Sequence, residues 1–154
     1  MIGRDIALLQ LALPISMTSI VPISVARTPW REGRVTVVSY GREREEFASI
    51  EEGCEILDHQ GSVRSLSCEV VSGASGSPVL RVNQGRAEVV AVMSASAETR
   101  SGSDISLAVT LDRHLATLMA QAQGAATGNL VGVRSFITPG DGARDDIGAR
   151  FIRP

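Results

Sequence analysis

The chain has two cysteines, Cys54 and Cys68, and they flank a polar turn, Asp58-His59-Gln60-Gly61-Ser62. Short apolar stretches lie on each side of the turn, Ile56-Leu57 and Val63 to Leu66. Two antiparallel strands joined there bring the cysteine ends within bridging distance. The centre of the chain is therefore expected to be a hairpin with tied ends. An even pair so placed favours a Cys54–Cys68 disulfide and an oxidising, secreted or periplasmic compartment. Two buried free thiols are the alternative. The spacing fits no zinc pattern and only His59 lies nearby, so no metal is expected.

β-branched stretches recur around this hairpin. Arg34 to Tyr40 reads as a strand, as do Phe47 to Ile50, Cys54 to Leu57 and Ser62 to Cys68. Val79 to Val82 and Ala87 to Met93 flank a turn at Asn83-Gln84-Gly85, and a polar loop, Ser96 to Asp104, leads to a strand at Ile105 to Val109. Near the start, Asp5 to Leu13 is mostly apolar and ends at Pro14, which predicts a buried strand; Ile20 to Val25, broken by Pro22, predicts an extended connection. Leu111, Leu115, Leu118 and Met119 then recur at helical spacing, predicting an amphipathic helix over 111–122 with Asp112 favouring its N-terminal dipole. The pattern is all-β with a C-terminal helix. One domain is expected over 1–123, followed by a loosely packed tail over 124–154, in which Val131 to Ile137 is the stretch suited to pairing at a sheet edge.

At 154 residues the chain can bury one core, and with 3% aromatic residues that core must be built from Val, Ile, Leu and Ala. A net charge of −2 gives no electrostatic footprint for nucleic acid or an anionic membrane, although every Lys/Arg position is Arg. No repeat and no membrane-length apolar run is present. Met1 to Ala26 has a basic residue at Arg4, an apolar middle and a small-residue end, as signal peptides do, while Asp5, Gln10, Pro14 and Pro22 argue against that reading.

Residues 73 to 78 read Gly73-Ala74-Ser75-Gly76-Ser77-Pro78. Glycines beside a serine permit the tight, positive-φ loop in which backbone N–H groups crowd around an acyl intermediate. The amides of Gly73 and Ser75 are then suited to stabilising an oxyanion. Pro78 fixes φ where the loop enters the next strand. A plain Gly/Ser turn between strands is the alternative.

The loop resembles the bacterial Gly-x-Ser-Gly-Ser-Pro variant of the nucleophile motif of trypsin-like (chymotrypsin-fold) serine peptidases. The segment Asp5-Ile6-Ala7-Leu8-Leu9-Gln10-Leu11, followed by Pro14, is similar to the motif around that family's triad aspartate. Val89-Val90-Ala91-Val92-Met93-Ser94 resembles the strand leading to the serine that supports the triad. The resemblance covers roughly residues 3–122. It implies an antiparallel β-barrel of which this chain carries the C-terminal one and part of the first. It also implies serine endopeptidase activity on protein or peptide substrates, without a cofactor, by a monomer when full length.

By the same resemblance Ser75 is the nucleophile, Asp5 orients an imidazole, and Gly73 and Ser75 form the oxyanion hole. Ser94, Ala95 and Ser96 hold an extended substrate as an added strand. Glu69 falls where an acid at a pocket base favours Arg or Lys. There are three departures. The family's histidine precedes its aspartate, and only Met1 to Arg4 precede Asp5, so the expected explanation is a gene model that starts late; His59 and His114 are expected in surface or cap roles. Ala74 stands where animal trypsins carry the Asp that binds a new N-terminus, so activation by that route is not expected. The loop between Cys68 and Ser75 is short, which disturbs the alignment of Glu69. Without its base, a chain of this kind is expected to be inactive alone, leaving a catalytically inactive peptide-binding module as the alternative function.

Overall fold

The computed structural model describes Gly3 and residues 5–41, 46–99, 102–127 and 149–152. Along these run β1 (Leu8–Leu11), β2 (Ser24–Val25), β3 (Val35–Ser39), β4 (Ser49–Cys54), β5 (Ile56–Gln60) and β6 (Val63–Leu66). They are followed by β7 (Pro78–Asn83), β8 (Arg86–Glu98), β9 (Asp104–Thr110), α1 (Asp112–Thr127) and β10 (Ala149–Ile152). Contacts divide the chain into two units, Met1–Ile6 with Ile23–His114, and Ala7–Pro22 with Leu115–Pro154.

In the first unit the antiparallel sheet runs β4-β3-β7-β8-β9-β6-β5, with β2 added in parallel beside β8. The two ends of that path, β4 and β5, are consecutive in the chain and separated only by Glu55. Counted as one bent strand, they close the path into a ring of six strands, a β-barrel. The bend is tied from the opposite side: Ser67 N–H donates to Glu55 O at 3.0 Å, and Glu55 N–H to Ser67 Oγ at 2.9 Å. Cys54 ends β4, Cys68 follows β6, and the disulfide between them joins Cα atoms 5.2 Å apart, both side chains buried. The hairpin with tied ends is therefore present.

Period-two burial explains why these segments are strands. In β3 the side chains of Val35, Val37 and Ser39 are buried while those of Thr36 and Val38 are half-buried. Val35 and Val37 meet Trp30, Leu66, Val79, Val90, Ala91, Met93 and Ala108 in one core. Two-residue turns close the hairpins. Gln84 and Gly85 both have positive φ, 50° and 75°, the type I′ pattern; Gly61 alone is positive, at 59°, ahead of Ser62, as in type II′.

Several boundaries differ from the sequence reading. The β5–β6 turn is only Gly61-Ser62, because Asp58, His59 and Gln60 continue the ladder opposite Ser65, Arg64 and Val63. The expected loop from Ser96 to Asp104 shrinks, because β8 continues past Met93 to Glu98 and β9 begins at Asp104. Alternating small residues there can pair even though they are polar. Phe47 lies outside β4 and is exposed.

In the second unit β1 pairs antiparallel with β10. Asp5 to Leu13 is strand only over Leu8–Leu11, and Leu9, Leu11 and Leu13 are exposed at 51%, 49% and 81%, so the segment is not the buried strand expected. The helix runs on to Thr127; Leu118 is buried and Met119, expected on the same stripe, is exposed. Val131 to Ile137 lies outside the described residues, as do Arg42 to Glu45. Among the described residues no helix is long and apolar enough to cross a membrane.

Candidate functional site

The loop from Val71 to Ser77 is built by two glycines and four backbone hydrogen bonds. Gly73 and Gly76 adopt φ of 96° and 89°, a region that L side chains avoid. Ala74 N–H donates to Val71 O at 3.2 Å and Ser77 N–H to Ala74 O at 3.1 Å. Gly76 N–H donates to Met93 O at 2.8 Å, and Met93 N–H returns a bond to Ser77 O at 2.9 Å. Ala74 is buried beneath the loop while Ser75 is exposed on it. The amides of Ala74, Gly76 and Ser77 are thus committed, whereas those of Gly73 and Ser75 meet no acceptor among the described residues. Both residues are exposed, where water can satisfy a backbone N–H. The two stand at alternate positions of the loop, on either side of Ala74.

The second wall is β8. Its register against β9 shifts between Met93 and Ala95, so Ser94 is the extra residue of a β-bulge. Met93 and Ser94 then both turn their backbone toward the β7 side: Met93 bonds the loop, and Ser94 O accepts a hydrogen bond from Ser75 Oγ at 3.2 Å. The Ser94 side chain points elsewhere, donating from Oγ to Asp5 Oδ2 at 2.5 Å. Ser94 therefore links the hydroxyl of Ser75 to the carboxylate of Asp5, although 89 residues separate Asp5 from Ser94. Asp5 itself is exposed.

Among the described residues, β8 is paired on one side only beyond the bulge. Its partner β7 ends with Pro78 opposite Val92, while β9 continues to Asp104 opposite Glu98. Thr99 N–H donates to Ser103 O, so backbone groups of odd-numbered residues face β9 here. By alternation those of Ser96 and Glu98 face outward, on an open edge that starts at the Ser94 carbonyl. Ser94 and Ala95 are half-buried and Ser96 is exposed along it.

Glu69 is brought to the same region by a bond not legible in the sequence. Buried Ser106, directly across from Ser96, donates from Oγ to Cys68 O at 2.6 Å, fixing the residue next to Glu69. The Glu69 N–H donates to Glu51 Oε1 at 2.9 Å and its own side chain is exposed. Glu51, Cys54 and Cys68 cluster like metal ligands, but both sulfurs are spent in the disulfide.

The two histidines lie on other elements, β5 and α1. His59, exposed on β5, lines a depression with Arg31, Arg34, Glu55 and Asp58. His114 sits in the first turn of α1. Neither side chain hydrogen-bonds to Ser75 or Asp5. No family model matches the chain, and no curated protein matches it.

Proposed function

We propose that this chain carries the nucleophile, oxyanion-hole and substrate-edge portion of a trypsin-like serine endopeptidase. The observation that carries the reading is the set of uncommitted Gly73 and Ser75 amides around an exposed Ser75 hydroxyl, next to a Ser94–Asp5 hydrogen bond. A closed β-barrel followed by a helix supports the trypsin-like form of the all-β fold. The oxidised Cys54–Cys68 pair supports a secreted or periplasmic site of action.

In this reading Ser75 Oγ attacks the carbonyl carbon of a peptide bond. The hydroxyl proton passes to an imidazole held by Asp5 and then to the departing amine, and the Gly73 and Ser75 amides hold the oxygen that gains charge. Water next cleaves the acyl-enzyme and returns the proton to Ser75. The substrate lies along β8, its N–H groups bonding Ser94 O and Ser96 O, and Glu69 draws an Arg or Lys side chain. The reading requires an imidazole beside Asp5, and neither His59 nor His114 hydrogen-bonds there. The test is to express the chain together with the reading frame upstream of Met1 and assay peptide hydrolysis, with Ser75→Ala as control. Hydrolysis abolished by the substitution is expected, and equal rates for the two proteins sink the proposal.

A second reading is favoured by the position of both histidines away from Ser75: a non-catalytic module that holds peptides at the β8 edge. An upstream frame without a histidine motif, together with peptide binding and no hydrolysis by the wild type, selects it.

A further inference from the structure

The loop that carries Ser75 is held unequally at its two ends. At the Ser77 end it is bonded to β8 twice, by Gly76 N–H to Met93 O and by Met93 N–H to Ser77 O. At the Val71 end its backbone bond is internal, from Ala74 N–H to Val71 O at 3.2 Å. Between Glu69, whose N–H is tied to Glu51, and Ala74, no other backbone bond among the described residues places the chain. The Val71 carbonyl, and the Gly73 amide two residues on, therefore depend on packing for their position.

Gly41 supplies that packing. It is buried and lies two residues past the end of β3. A β-carbon on Gly41 would overlap Cγ2 of Val71, with Val71 Cβ at 3.4 Å and Ser72 O at 3.6 Å behind it. The backbone of Gly41 is not in the positive-φ region, so the contact, and not the turn, calls for glycine. Its bare α-carbon is a seat for one methyl of Val71.

Resting on the reading of Ser75 as a nucleophile, we infer that Gly41 is a positioning residue for the oxyanion hole. It acts through Val71 on the Gly73 amide, while the bonds to β8 hold the loop beyond Ser75. Valine is stiff at χ1, so a methyl displaced at Val71 carries its backbone along. The Val71 carbonyl then moves under Ala74, and Gly73 between them turns its N–H. A donor aimed at a developing oxyanion acts on the transition state, so the change reads in kcat and not in KM.

Gly41→Ala, Val71→Ala and the double variant test this in two assays. In amide nitrogen–proton correlation spectra of the intact chain, Gly41→Ala shifts the Gly73 and Ala74 signals and leaves those of Gly76 and Ser77 in place. The double variant returns them, because the shortened side chain gives the new β-carbon room. Signals that stay put, as when Val71 only changes rotamer, or that the double variant does not restore, overturn the inference. Should Gly41→Ala not fold, Val71→Ala alone empties the seat and speeds hydrogen exchange at the Ala74 amide relative to the Gly76 amide; an unchanged ratio overturns it. In the chain extended by its upstream reading frame, Gly41→Ala lowers kcat for peptide hydrolysis about 10–100-fold with KM little changed, and the double variant recovers most of the loss. A change in KM alone overturns the oxyanion-hole role. Absence of hydrolysis in the wild type overturns the peptidase reading and that role with it, whereas the spectra decide separately whether Gly41 seats the loop.

Discussion

The hydroxyl of Ser75 is hydrogen-bonded to the carbonyl of Ser94, 3.2 Å away. That carbonyl is the first acceptor on the open edge, so the nucleophile of the proposed reaction occupies a position a substrate N–H needs. Ser75→Ala removes the competitor. Peptides that bind the edge are expected to bind the variant roughly 2–10-fold tighter, the worth of one net hydrogen bond. Anisotropy titration reads this directly, and weaker binding by the variant contradicts the competition.

The disulfide closes a segment with a sequence separation of 14. Cys54→Ser/Cys68→Ser is expected to cost about 3 kcal/mol from loop entropy, lowering Tm by roughly 6–12 °C. Calorimetry of the two proteins decides it, and a drop of only a degree or two means the bent strand holds itself.

Gln84 is the one non-glycine residue with positive φ among the described residues, at 50°. Type I′ turns favour Asn or Gly at that place, so Gln84→Asn is expected to stabilise the protein by about 0.5–1 kcal/mol. Urea denaturation should show a higher midpoint with an unchanged slope.

Glu88 accepts a hydrogen bond at 2.9 Å from Arg81 across β7 and β8. That bond, aided by a second from Asn83, holds the Glu88 carboxyl below the usual carboxylate range, and partial desolvation opposes the shift. A group whose folded value is lowered contributes stability above its unfolded value and loses it as pH falls through the folded one. Glu88→Gln is therefore less stable than wild type at neutral pH, with a gap that closes as pH falls below the ordinary carboxylate range. Chemical denaturation across that range shows the convergence, and a constant gap refutes it.

What the sequence discloses of this site is what is local. The Cys54–Cys68 hairpin, the Gln84-Gly85 turn and the glycine loop all follow from neighbours in the chain, and the structure contains each. Ser94 could be picked out with Asp5 only through resemblance, and the hydrogen bond between them depends on tertiary placement. The bulge at Ser94 leaves no residue signal, since any small side chain fits there. The continuity of β4 and β5 was hidden because the pattern around Glu55 reads equally as one strand or two. The apolar run at Leu9 to Leu13 misled for a related reason: hydrophobicity predicts a wish for cover, and says nothing about what supplies it.

The insertion at Ser94 also acts as a change of phase. Before it, the odd-numbered Met93 offers its N–H and C=O to the β7 side; after it, Ser96 and Glu98 do so. Were Ser94 taken into the regular ladder, every side chain type would stay on the strand yet those that line the edge would be exchanged. Ala95 and Ala97 would take the stations of Ser96 and Glu98, and the edge would lose its polar side chains without any loss of barrel. What this edge presents to solvent is thus set by parity as much as by composition.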